Sequence, residues 1–224
     1  MKLEKGFYGS PRWTYEILDC SLPVTFDTYD NCAFNCAYCF SFFQRAVGTG
    51  KEEYLHHKVH AVNVEQIKKL FLGGIPNSQF WWYLKNKRTL QWGGLSDGFD
   101  LYEKLFRKSL ELLRFFNSID YPVSISTKGV WWVDDPEYRE AFRDRKNIHL
   151  KASIISLDEE KVRRVERGVA TSEQRFRMLE EANKLGVAAT TVRYRPFILG
   201  MSADYPWSEK ARQQIDAFCH RTKE

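Results

Sequence analysis

The sequence predicts an α/β fold built on one parallel β-sheet, and three observations predict it. Short apolar, β-branched runs recur along the chain, segments of helical periodicity lie between them, and no internal repeat or low-complexity linker breaks the alternation. Strand, helix and strand in succession make a unit whose strands run parallel, with functional residues at their carboxyl ends.

The strand runs are Leu22 to Thr28, Thr89 to Trp92, Pro122 to Ser126, Ile148 to Ser156 and Ala188 to Tyr194, each bounded by polar residues or glycine. Helical spacing covers Val64 to Phe71, Leu101 to Phe116, Pro136 to Arg143 and Ser172 to Leu185, the last stopped by Gly186. Tyr205 to His220 reads as a terminal helix followed by four residues. The sheet is thus expected to hold five parallel strands and to fall short of a sixth, being either small or completed from outside this chain. Phe43 to His60 and the aromatic cluster Phe80, Trp81, Trp82 and Tyr83 fit the alternation less well, so about residues 43–88 read as an insertion between the first two strands. That cluster suits local packing or a stacking platform for bases.

The 224 residues, 43% hydrophobic and 28% charged, make a single domain over 1–224 the default expectation. No apolar stretch reaches bilayer length, and the first residues lack the apolar core of a signal peptide, so the expectation is a cytoplasmic protein with no membrane partner. A net charge of +5 permits a nucleic-acid partner without requiring one. Lys161, Arg163, Arg164, Arg167, Arg175 and Arg177 cluster as either a solvated helix face or a phosphate-binding one.

Five cysteines is an odd count, and three of them fall within eight residues, which argues for thiolate chemistry over a disulfide framework. Cys20 and Cys219 stand alone and read as small buried side chains. Cys32, Cys36 and Cys39 are spaced C-x3-C-x2-C directly after the first strand. Structural zinc takes four ligands, commonly as two pairs, and no second cysteine pair follows, although His56, His57 or His60 could supply a fourth ligand. Three thiolates in a tight loop suit a [4Fe-4S] cluster with one iron left without a protein ligand.

With Tyr38 before its last cysteine, this stretch resembles the signature of the radical S-adenosylmethionine (SAM) superfamily. The resemblance implies a partial (β/α)6-type parallel barrel with Cys32, Cys36 and Cys39 as cluster ligands. It implies an open iron that chelates the amino and carboxylate groups of SAM, and an electron, supplied by an external donor, that cleaves the sulfonium. The products are methionine and a 5′-deoxyadenosyl radical that takes hydrogen from an unactivated carbon. Phe34, Tyr38 and Phe40 would then shield the cluster and touch the adenine. Gly93 and Gly94 stand where that family has a Gly-Gly-Glu-like motif contacting the methionine amino group; the Glu is missing, and Ser96 and Asp97 are read as its replacement. Lys128, ending the third strand, suits the SAM carboxylate, and Ser153, on the fourth, the ribose.

Farther along, Ser156-Leu-Asp158-Glu159, Arg164-Val-Glu166-Arg167-Gly168, Arg175 and Arg193-Tyr-Arg195-Pro196 occur in order. With them the chain resembles the spore photoproduct lyase-like (DNA repair photolyase-like) branch from about Val24 to Gly200. Glu166 with Arg175 or Arg193 forms either a charged network under the SAM site or a structural ion pair. The lyase carries a cysteine two positions before its Ser-Asp pair that returns hydrogen to the thymine radical, and Gly94 occupies that place here. The expectation is radical SAM chemistry on a nucleic-acid base or related metabolite, without the lyase's cysteine-dependent repair. Two other classes compete: a zinc-stabilised nucleic-acid-binding module, and a non-catalytic iron-sulfur electron-transfer or partner protein.

Overall fold

A computed structural model describes residues 11–13, 22–41, 58–75, 77–204 and 208–223. Strands β1 (Arg12–Trp13), β2 (Val24–Phe26), β3 (Leu90–Trp92), β4 (Val123–Ser126), β5 (Ile148–Ser153) and β6 (Ala189–Arg193) form one sheet in chain order. From β2 to β6 every neighbour is parallel, so the five strands read from the sequence form the expected sheet, each trimmed at its ends. The sheet is not closed, in keeping with a partial barrel. A sixth strand is nevertheless present: β1 pairs antiparallel with β2 at the edge opposite β6. Two residues carry no detectable alternation, which is why the sequence did not reveal it.

Register divides the sheet into two chemically opposite faces, because side chains alternate along each strand. Val24, Phe26, Leu90, Trp92, Val123, Ile125, Leu150 and Ala152 form the outer face, each no more than 1% exposed. Helices cover this face. Thr25, Gln91, Ser124 and His149 lie in register on the inner face, as do Ser126, Lys151 and Thr191 one step on, and Ser153 with Arg193 beyond them.

The helices are α1 (Val64–Phe71), α2 (Trp81–Lys85), α3 (Leu101–Phe106), α4 (Lys108–Ser118), α5 (Pro136–Phe142), α6 (Glu159–Val165), α7 (Ser172–Leu185) and α8 (Glu209–Arg221). Local sequence sets several of their ends. Asn63 caps α1 by accepting from the Gln66 N–H, while Thr171 and Gln174 form a reciprocal capping box on α7, which stops at the left-handed Gly186. The single helix expected over Leu101 to Phe116 is broken at Arg107, which adopts φ 55°. Tertiary contacts explain the break. The buried Glu103 carboxylate accepts the Ser109 and Leu110 N–H groups at 2.7 and 2.8 Å, replacing helix bonds at the start of α4, and also accepts from the hydroxyls of Tyr29 and Tyr138.

Ile67 and Phe71 of α1 and Phe80 and Leu84 around α2 share the core of the sheet, so this part of the 43–88 stretch packs as barrel wall. Phe116 is fully buried, with ring centroids 4.9 Å from Phe71, 5.6 Å from Trp92 and 5.9 Å from Phe26. Phe116→Ala removes that packing at a cost of about 3–5 kcal/mol. Within the aromatic cluster Phe80 is buried, but Trp81 and Trp82 are 42% and 55% exposed. Cys219 is exposed, correcting the expectation of a buried side chain: α8 turns Ala211 and Phe218 inward instead. Cys20, His56 and His57 lie outside the described residues. No helix among the described residues is long and apolar enough to cross a membrane.

Candidate functional site

A cleft of about 600 Å³ opens at the carboxyl ends of the parallel strands. The cysteine loop supplies one wall, the Gly93-to-Asp97 turn after β3 another, and the ends of β4, β5 and β6 the rest. The ten residues read from the sequence as cluster or SAM ligands line it: Cys32, Cys36, Cys39, Tyr38, Gly93, Gly94, Ser96, Asp97, Lys128 and Ser153; His60, a candidate zinc ligand, does not. Residues from Cys32 to Ser153 therefore meet at one opening.

The cysteine loop is tied down at both flanks by backbone N–H groups. The Ala33 N–H donates to Asp100 Oδ2 at 2.6 Å, and Asp100 also caps α3 through the Tyr102 N–H. The Ala37 N–H donates to the Val165 carbonyl at the end of α6, at 2.9 Å. Burial pushes the Asp100 carboxyl up to about 7, opposed by the N–H groups it accepts from and assisted by the charge of Asp97. Burial likewise raises the Cys32 thiol well above its ordinary value, and the Asp100 and Asp97 carboxylates add to the effect.

Glycine is required in the neighbouring turn. Gly93 has φ +88°, and a Cβ there would stand 2.6 Å from the Ser126 carbonyl oxygen. A Cβ on Gly94 would stand 2.6 Å from Thr25 Oγ1 and 2.9 Å from Arg12 Nη2. Buried Asp27, paired with Arg12 at 2.7 Å, accepts the Leu95 and Ser96 N–H groups, and the Ser96 hydroxyl donates to the Tyr29 carbonyl at 2.7 Å. Asp97 joins this turn to the end of β4, accepting from the Phe99 and Lys128 N–H groups and from the Thr127 hydroxyl. Burial raises its carboxyl, with those donors pulling the other way. The roles of Asp27 and Asp100 were not visible in the sequence, since their partners lie 67 to 69 residues away.

At the opposite wall a charged chain runs inward from Cys36. Lys128 Nζ stands 3.4 Å from Cys36 Sγ and 3.2 Å from Glu166 Oε1, and donates to the Tyr38 hydroxyl at 2.8 Å. Tyr38 donates in turn to Glu166. Glu166 Oε2 meets Arg175 Nη2 at 2.6 Å with both side chains fully buried, and Arg175 continues to the Ser153 carbonyl at 2.6 Å. Arg175 is thus the partner of Glu166, while Arg193 Nη1 donates to the Ser126 hydroxyl at 3.3 Å. Burial works against the charges of Lys128 and Glu166, yet each stays ionised. Cys36, Tyr38 and Glu166 raise Lys128, while Lys128 and Arg175 hold Glu166 below the usual carboxylate range.

His60 Nδ1 pairs with Asp30 at 2.6 Å. Among the described residues no three His, Cys, Asp or Glu side chains converge on a point as ligands of a single metal ion. The chemistry of the loop fits a larger group: three soft thiol donors on one short segment, facing a cleft with two close-approach glycines and one partly buried ammonium.

Comparison with known proteins agrees with this geometry. The family model described as the radical SAM superfamily matches residues 27–204. No sequence among curated proteins matches the chain. Among solved structures, a spore photoproduct lyase double mutant with bound AdoMet and dinucleoside spore photoproduct superposes with a TM-score of 0.64 at 14% identity, over 91% of this chain and 53% of the lyase. Streptococcus suis SuiB bound to precursor peptide SuiA gives 0.51 at 12% identity, over 86% and 35%. The cobalamin-dependent SAM radical enzyme OxsB gives 0.52 at 12% identity, over 86% and 26%. These identities carry the fold, and the chain spans about half the length of the lyase.

Proposed function

Since the chain belongs to the radical SAM superfamily, we propose that it binds a [4Fe-4S] cluster and SAM in the cleft at the strand ends and abstracts hydrogen from an organic substrate. The observation that supports this most is the meeting of all ten residues, chosen from sequence alone, around one opening. When bound, cluster and SAM supply a reductive sulfonium cleavage that generates a carbon radical able to attack an unactivated C–H bond.

Cys32, Cys36 and Cys39 would hold the cluster, leaving one iron for SAM. Lys128, partly buried and kept protonated, would offer its ammonium to the SAM carboxylate, and Tyr38 orients it by accepting a hydrogen bond from it. Gly93 and Gly94 let the turn's backbone approach the amino end of SAM, while Asp27 and Asp97 fix that turn by accepting its own and neighbouring N–H groups. Ser153 would meet the ribose. The cleft walls would exclude water from the reacting centre, which a radical process needs. An external electron donor, and a nucleic-acid base or related metabolite as substrate, complete the reading; the protein is proposed to work in the cytoplasm, as one domain.

The test is anaerobic reconstitution with iron and sulfide, then incubation with SAM and a low-potential reductant. Formation of 5′-deoxyadenosine and methionine supports the reading. A colourless protein with one zinc would favour the nucleic-acid-binding module, and a brown protein that leaves SAM intact would favour the electron carrier or partner subunit.

A further inference from the structure

We propose that Gln91 selects the substrate, its side-chain carboxamide pairing with the edge of a planar heterocycle that sets a hydrogen-bond donor beside an acceptor. It rests on the cleft being the SAM and substrate site described above. Gln91 is the middle residue of β3, in register between Thr25 of β2 and Ser124 of β4. Leu90 and Trp92 on either side of it turn into the apolar outer face, so alternation sends the Gln91 side chain to the inner face, where it lines the cleft.

Two observations set this side chain apart. Gln91 is only 8% exposed, yet its carboxamide has no hydrogen-bond partner among the described residues. The hydroxyls flanking it in register do not satisfy it: Thr25 Oγ1 and Ser124 Oγ lie outside the cleft lining and are themselves buried without a partner. A buried amide that no protein group satisfies is costly, and packing alone is served better by an apolar side chain of the same size. The second observation is depth. Ser126, Ser153 and Arg193 reach the cleft from the last residue of their strands, whereas Gln91 reaches it from within β3, two residues before the glycine pair. With Gly93 and Gly94 given to the amino end of SAM, Lys128 to its carboxylate and Ser153 to its ribose, Gln91 lies on the barrel side of the cofactor. A substrate that meets the 5′ carbon has to sit on that side.

The chemistry of the group identifies what it takes. A carboxamide holds N–H donors and a C=O acceptor side by side in one plane and carries no charge. It therefore makes a two-point pair with a ring edge that offers an acceptor next to a donor, as glutamine does with adenine in nucleic-acid recognition. A phosphate or carboxylate only accepts and uses half of the group; an ammonium only donates and uses the other half. Tyr102, half-buried in the same lining, adds an aromatic surface of the kind flat rings pack against.

The edge belongs either to a lactam, as the N3–H beside O4 of thymidine, or to an amino-substituted ring, as the N6–H beside N7 of adenosine. Calorimetric titration of the reconstituted, SAM-loaded and unreduced protein distinguishes them. At least one of these nucleosides is expected to bind, and its methylated counterpart without the donor, N3-methylthymidine or N6,N6-dimethyladenosine, to bind at least about tenfold more weakly. Gln91→Met keeps the length of the side chain and removes both polar groups. It should weaken the bound nucleoside about tenfold and erase its advantage over the methylated form, with SAM affinity unchanged and the thermal midpoint of the ligand-free protein not lowered. Gln91→Asn, which retains the carboxamide on a shorter stem, should recover part of the discrimination. Binding of neither nucleoside would overturn the inference, as would equal binding of the methylated form by the parent protein or undiminished binding by Gln91→Met. Loss of SAM affinity in Gln91→Met would give the carboxamide to the cofactor and overturn it as well. A 5′-deoxyadenosine assay on the parent protein separates these outcomes from failure of the SAM reading: SAM cleaved without nucleoside recognition removes the role of Gln91 alone.

Discussion

Lys128 and Cys36, 92 residues apart in sequence, meet with the ammonium 3.4 Å from the sulfur at the mouth of the barrel. The same ammonium reaches Tyr38 and Glu166, so one cation links the cysteine loop to the buried Glu166–Arg175 pair. Replacing it by Met keeps the length of the stem and removes the charge. Lys128→Met is expected to weaken SAM binding to the reconstituted protein by about tenfold or more, with the cluster absorbance retained. Equilibrium binding of SAM, monitored beside the iron content, checks this; unchanged affinity would remove Lys128 from the carboxylate site.

Glu166 and Arg175 are both fully buried, so losing one partner strands the other's charge. Arg175→Met is expected to cost about 3–5 kcal/mol of stability. Glu166→Gln keeps the shape and tests the pH dependence. The folded state holds the Glu166 carboxyl below its ordinary 4.5, despite burial, through Lys128 and Arg175. Its contribution is therefore present above about pH 4.5 and lost as pH falls through the folded value, because the unfolded state then binds more protons. Chemical denaturation from pH 7 to pH 3 should show a shallower acid loss in Glu166→Gln than in the parent protein. Identical acid limbs would show that Glu166 does not titrate in this way.

Gly94 occupies a position where a side chain has no room. A Cβ there meets Thr25 Oγ1 at 2.6 Å and Arg12 Nη2 at 2.9 Å, so Gly94→Ala is expected to cost about 1–3 kcal/mol by overpacking, read as a lowered midpoint in thermal unfolding. An unchanged midpoint would mean that Thr25 and Arg12 yield freely.

Gly94 itself has no side chain to serve as a hydrogen donor. Reconstituted protein given SAM, reductant and dinucleoside spore photoproduct is expected to yield 5′-deoxyadenosine without restoring two thymines. Efficient thymine release would show that another donor serves.

How far the sequence led depended on whether a feature was local. Helices α1 and α7 match their expected limits because Asn63, Thr171 and Gly186 mark them within a few residues. The break at Arg107 has no glycine or proline to announce it; it comes from Glu103 meeting Tyr29 and Tyr138 across the fold. In the site, the cysteine spacing and the glycine pair were legible as short motifs. Asp27 and Asp100 were not, since a carboxylate that organises distant backbone N–H groups looks like any other in sequence. Choosing Arg175 over Arg193 as the partner of Glu166 likewise required α7 to be packed against β5 and β6.

The central claim is that Cys32, Cys36 and Cys39 hold a cluster with one iron open to SAM. It is tested most directly by electron paramagnetic resonance of the reduced, reconstituted protein before and after SAM is added. The account predicts a [4Fe-4S]+ signal that changes on SAM addition, persists in Cys219→Ala and is lost in Cys36→Ala. A cluster signal indifferent to SAM, or one retained in full by Cys36→Ala, would contradict it.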